Sequence, residues 1–229
     1  MFYFDMSYMV FVLPAIILAM YAQTKVSSTF NKYSKVGNRR GYTAFDVARK
    51  ILDSNGLYNV HIERVSGNLT DHFDPKTNVV RLSDSTYSST SVAAIGVAAH
   101  EVGHAVQHAE KYMPIKVRNS IVPIVQFSSY LAWPLVLIGI LVGAPNLASF
   151  GVILFTFVVA FQLVTLPVEF NASSRAIKTL DEQLILDEDE VKMSKKVLSA
   201  AALTYVAAAA VAIGNLLRLL VISGRSNRD

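Results

Sequence analysis

Cysteine is missing from the chain altogether. That excludes disulfides, thiolate metal sites and cysteine nucleophiles, so any metal must be held by nitrogen and oxygen. Charge is scarce as well. Only 17% of the 229 residues are Asp, Glu, Lys or Arg, against 52% hydrophobic, and the mean hydropathy is +0.39. Soluble domains carry about a quarter charged residues, so the composition points to a membrane protein. The basic excess is small, 21 Lys and Arg against 17 Asp and Glu, and it lacks the dense clusters that follow a phosphate backbone. No nucleic-acid partner is expected; the lipid bilayer is.

Four apolar runs are long enough to cross a bilayer: residues 6–22, 121–142, 147–168 and 199–222. The first lacks the basic flank and small-residue cleavage site of a secretory signal and reads as a retained anchor. The uncharged Gly143-Ala144-Pro145-Asn146 turn makes the second and third a tight hairpin. Arg218 lies near one end of the fourth, where snorkelling to the interface is the simplest expectation. Lys25, Lys32, Lys35, Arg39 and Arg40 follow the first run, and Arg175, Lys178, Lys192, Lys195 and Lys196 follow the third. The positive-inside rule puts both groups in the cytoplasm, whereas Arg225 and Arg228 in the tail disagree. The expected organisation is an anchor (1–24), a polar domain (25–119), a transmembrane hairpin (120–168), a polar segment (169–198) and a last span with its tail (199–229).

Within the polar domain, Thr43 and Asp46 have the spacing of a helix-start capping box. Phe45, Val47, Ala48, Ile51 and Leu52 follow at helical period, and Gly56 can close the end. The β-like runs 60–65 and 79–82, separated by turn signals, predict a small antiparallel sheet. Ser88-Ser89-Thr90-Ser91 offers N-caps for a helix that continues to Pro114. Its apolar part before His100 is only about nine residues, half of what a span needs, so this helix belongs to the domain off the membrane.

That helix carries "HEVGH". His100 and His104 project about 40° apart and about one turn apart along the axis, so both rings can reach one ion. Glu101 stands beside them as a candidate general base, the H-E-x-x-H arrangement of zinc peptidases. The alternative is a buried, hydrogen-bonded His pair. His108 lies about 12 Å along the axis from His100, too far to share a metal, and reads as an exposed or interfacial His. A catalytic zinc needs a third protein ligand and an open position. The best remaining candidate is Glu169, in "TLPVEFNASSRA", which the transmembrane hairpin would return to the same membrane face.

With these residues in view, "LTDHFDP", "SVAAIGVAAHEVGHAVQH" and "LVTLPVEFNASSRA", in this order and at these intervals, resemble the YugP-type neutral zinc metallopeptidases of bacterial membranes. More distantly the layout is similar to the CAAX prenyl protease and HtpX-type membrane peptidases. The resemblance covers the chain from about Val36 to the last span. It implies His100, His104 and Glu169 as ligands of one catalytic Zn2+ and Glu101 as the base. Ser173 stands where the distant group has an Asp, so that Asp's role does not carry over.

Further expectations attach to the neighbours. Residues 70–74 read as an edge strand on which a peptide could add, and His72 could touch the substrate or the oxyanion, or simply stabilise a turn. Asn171 and Arg175 could orient a ligand or stabilise the oxyanion. The acidic run 187–190 reads as the solvated first turn of a helix. The whole is expected to be a mainly α, multi-pass membrane protein with about four transmembrane helices and a small α+β zincin-like domain carrying the H-E-x-x-H helix. Its expected function is a zinc metallopeptidase acting on a peptide or protein substrate at the cytoplasmic face of the cell membrane. The alternative is a zinc-stabilised scaffold that binds partner proteins without cleaving them.

Overall fold

The computed structural model describes residues 6–226. Among the described residues, four helices are long and apolar enough to cross a membrane. The first begins as a π-helical stretch, Tyr8–Val12, and continues as α1, Leu13–Tyr33. The others are α4 (Met113–Leu141), α5 (Pro145–Glu182) and α6 (Glu188–Ser226). All four overrun the apolar stretches read from sequence, because helical hydrogen bonding continues where hydrophobicity stops. Between α1 and α4 lie α2 (Ala44–Ser54), β1 (His61–Val65), β2 (His72–Asp74), β3 (Val79–Ser83) and α3 (Val92–Ala109).

The chain divides into two compact units. Among the described residues, the first takes in 6–23, 116–167 and 203–226. Its core includes Ala132, Val136, Val152, Phe155, Val159, Ala212 and Leu219. Small residues let its helices approach: a Cβ on Gly151 would sit 2.7 Å from the Ala132 carbonyl oxygen. Ile138, Leu141 and Ile153 stay exposed, as lipid contact requires. Arg218 does not snorkel. It is buried, with its guanidinium 5.3 Å from the Tyr8 ring and 5.9 Å from that of Trp133, and these aromatic faces give the cation a partner inside the fold.

The second unit joins residues 24–115 to 168–202. Its α2 has the predicted capping box, with Thr43 accepting from the Asp46 N–H and Asp46 accepting from the Thr43 N–H, and Gly56 follows the C-cap in the left-handed region at φ +71°. Val47, Ile51 and Leu52 face Ile95, Val102 and Leu180 across the main core. The sheet corrects one expectation: β1 and β3, the two runs read from sequence, pair in parallel. Strand order is β1-β3-β2, and the antiparallel partner of β3 is β2. The short turn after Asp74, with Asn78 at φ +58°, folds β2 straight back onto β3 and leaves only the far edge of β3 to β1.

Two further expectations are revised. The H-E-x-x-H helix ends at Ala109 rather than near Pro114. Lys111 takes φ +56°, and Pro114 sits in the first turn of α4, where its missing N–H costs nothing. The acidic run is not simply solvated. Arg39 pairs with Asp187 at 2.9 Å and Asp189 at 2.7 Å, while Glu190 is buried and accepts the Arg39 and Asp187 N–H groups. Hydrogen bonds from Arg39 hold both Asp carboxyls below their usual range.

Candidate metal centre

Two helices build the site. On α3, helical spacing presents His100 and His104 with ring centroids 4.7 Å apart in an edge-on arrangement. On α5, two residues past Pro167, Glu169 is 2% exposed. Its Oε2 lies 3.3 Å from His100 Nε2 and 3.5 Å from His104 Nε2. Gly103 makes this approach possible. A Cβ there would stand 2.9 Å from the Ala172 carbonyl oxygen and 3.3 Å from its Cα, so only hydrogen fits between α3 and α5. Gly103→Val should force the helices apart by about an ångström or more and weaken zinc binding at least about tenfold. Competition with a chromogenic chelator would measure it; unchanged affinity would show that the close crossing is not needed.

Partner groups orient both imidazoles. Gln107 Oε1 lies 3.0 Å from His104 Nδ1, and Ser173 Oγ lies 3.1 Å from His100 Nδ1. Both Nε2 atoms are thereby turned toward Glu169. Despite the short separations, the contacts to Glu169 are poorly directed, and its buried Oε2 accepts no hydrogen bond. A buried carboxylate oxygen without a donor is costly. Burial disfavours a charged His104, yet the Glu169 carboxylate and the nearby Glu101 charge outweigh it and leave its pKa raised. The cluster attracts positive charge.

These atoms fit zinc. Two imidazole nitrogens and a carboxylate oxygen are a known catalytic donor set, and ligand atoms about 2 Å from a tetrahedral ion stand about 3.3 Å from one another. The three donors all lie within 4.8 Å of each other. Glu101, next to His100, is partly buried, and its carboxylate takes part in no hydrogen bond or ion pair among the described residues. Its lone pairs are free for a proton.

A family described as "Putative neutral zinc metallopeptidase" matches residues 8–224. The chain belongs to this family of neutral zinc metallopeptidases. It is also similar to the Putative membrane protease YugP of Bacillus subtilis (strain 168), with 53% identity over 205 residues that cover 90% of this chain and 91% of the relative. No solved structure matches it.

The remaining candidates in this metallopeptidase-family chain are distributed around the cluster. His72 lies on the exposed edge strand β2, with Nδ1 2.8 Å from the Thr70 carbonyl oxygen. His108 points outward, its ring 5.9 Å from that of Phe73 on the same strand. Asn171 reaches the cluster through Gln107, whose Nε2 donates to its Oδ1 at 2.9 Å; Arg175 Nε donates to the same Oδ1 at 2.7 Å, and its guanidinium pairs with Glu110 at 2.8 Å. Both Asn171 and Arg175 line a cavity of about 430 Å³ with Asn55, Gly103 and Lys178. Sequence reasoning missed Gln107 and gave Ser173 no role. The available signal was helical: Gln107 is three residues after His104, and Ser173 four after Glu169, each on its ligand's face.

Proposed function

We propose that this chain is a membrane-embedded zinc peptidase that hydrolyses peptide bonds at the membrane–cytoplasm interface, with His100, His104 and Glu169 holding one catalytic ion. The observation that carries this reading is the buried Glu169 oxygen, which accepts no hydrogen bond and faces two imidazoles whose other nitrogens are already engaged. When bound, zinc supplies Lewis acidity toward water and the substrate carbonyl. Glu101 takes the proton of the attacking water and delivers it to the leaving amine, so the same carboxylate ends each turnover ionised. The free edge of β2, next to α3, offers main-chain groups on which an extended peptide can add as a further strand, in zincin fashion. The cytoplasmic placement rests on the basic residues that follow the first and third spans.

Hydrolysis favours this reading over a scaffold because a structural zinc has no use for an unpaired carboxylate at Glu101. The test is the purified protein in detergent, incubated with a mixed peptide library and read by mass spectrometry for new termini. Cleavage should appear with zinc, vanish after chelation and return on adding zinc back. Cleavage that survives complete metal removal would defeat the proposal.

A further inference from the structure

Both ends of the Gln107 amide are specified by their surroundings. Its Nε2 donates to the Val168 carbonyl oxygen at 2.8 Å and to Asn171 Oδ1 at 2.9 Å. A carbonyl oxygen only accepts, and Asn171 must present its oxygen because Arg175 Nε, 2.7 Å away, only donates. Two acceptors thus face one end of Gln107, which has to be the NH2 group. Oε1 is left facing His104 Nδ1 at 3.0 Å. Since Oε1 only accepts, Nδ1 carries the hydrogen and the lone pair of the neutral ring falls on Nε2, the nitrogen nearest Glu169. Gln107 is fully buried, so water does not take its place. His100 receives no such instruction, because the Ser173 hydroxyl can donate or accept.

We infer that Gln107 is a positioning residue that locks His104, but not His100, in its Nδ1–H tautomer before any metal arrives. It rests on the reading of His104 Nε2 as a zinc ligand. The same amide binds the carbonyl of the residue preceding Glu169, so one side chain aims a donor on α3 and anchors the turn of α5 that carries the next. The His104 Nε2 lone pair would thus be available to zinc as it stands, whereas the tautomer of His100 would be set only on binding.

The test uses the metal-free full-length protein in detergent, labelled with 15N-histidine and held at a pH where the rings are neutral. Ring nitrogen shifts separate protonated from unprotonated positions, and His104→Asn assigns the signal. Wild-type His104 should show only Nδ1–H, whereas His100 should show a mixture. Gln107→Leu should mix the tautomers of His104 and weaken zinc about 10- to 100-fold. Ser173→Ala should alter His100 alone. A mixed or Nε2-protonated His104 in the wild type overturns the inference without needing any variant to fold. So does a Gln107→Leu protein whose His104 remains locked. A locked His104 that binds zinc in a protein without hydrolysis would remove the proposed function and leave this inference standing; a mixed His104 in an active enzyme would do the reverse.

Discussion

Glu101→Gln should retain zinc and lose peptide cleavage by about 100- to 10,000-fold, the usual contribution of a positioned general base. The substitution preserves the size of the side chain while removing its capacity to take a proton. The metal cluster should survive, because the Glu101 carboxylate makes no hydrogen bond or ion pair among the described residues and is not one of the three clustered donors. The fall should appear in kcat and in kcat/KM together, since the proton acceptor matters in the transition state rather than in binding. Zinc content, measured on the same preparation by elemental analysis, should stay at one ion per chain. A Glu101→Gln protein that cleaves at the wild-type rate would remove Glu101 from the mechanism; one that has lost its zinc would instead make Glu101 part of the metal site.

Glu169→Ala should abolish both zinc retention and activity. Residues that merely orient ligands contribute about 10- to 100-fold to metal affinity, and loss of a ligand should exceed that. The effect has a thermal readout independent of catalysis. Zinc at 100 times its Kd stabilises a folded protein by about 2.7 kcal/mol through mass action, so adding zinc should raise the wild-type Tm by several degrees. The Glu169→Ala protein should show little of that rise. Glu169→Asp makes a stricter test, because its carboxylate is withdrawn by about 1.5 Å and the 3.3 and 3.5 Å approaches to the imidazoles would open. Full zinc-induced stabilisation in the Glu169→Ala protein would exclude Glu169 as a ligand and turn attention to Glu101 as the third donor.

The parts of the fold that were readable from sequence are those set by neighbours along the chain. Thr43 and Asp46 cap α2 because a helix start leaves N–H groups that a side chain three residues away can reach. The four long helices follow from apolar length alone. The direction of strand pairing was not readable. The runs that became β1 and β3 looked the same whichever way they paired, and the intervening β2 decided it by taking the antiparallel edge of β3. Arg218 was misjudged for a related reason: its position near the end of a run says nothing about Tyr8 and Trp133, which come from other helices.

By itself the sequence determined that His100 and His104 share a helical face with Glu101 between them, since helical period is a local property. It also determined that any metal must be bound without sulfur, and that the chain has apolar runs enough for four membrane crossings. Tertiary structure brought the nominated Glu169 carboxylate up to the histidines and alone decided which groups aim them. Ser173 stands 73 residues from His100, and Asn171 stands 64 from Gln107. Contacts at that range depend on how closely α3 and α5 can cross. That closeness comes from the single missing side chain at Gly103, whose effect appears only when Ala172 is packed against it.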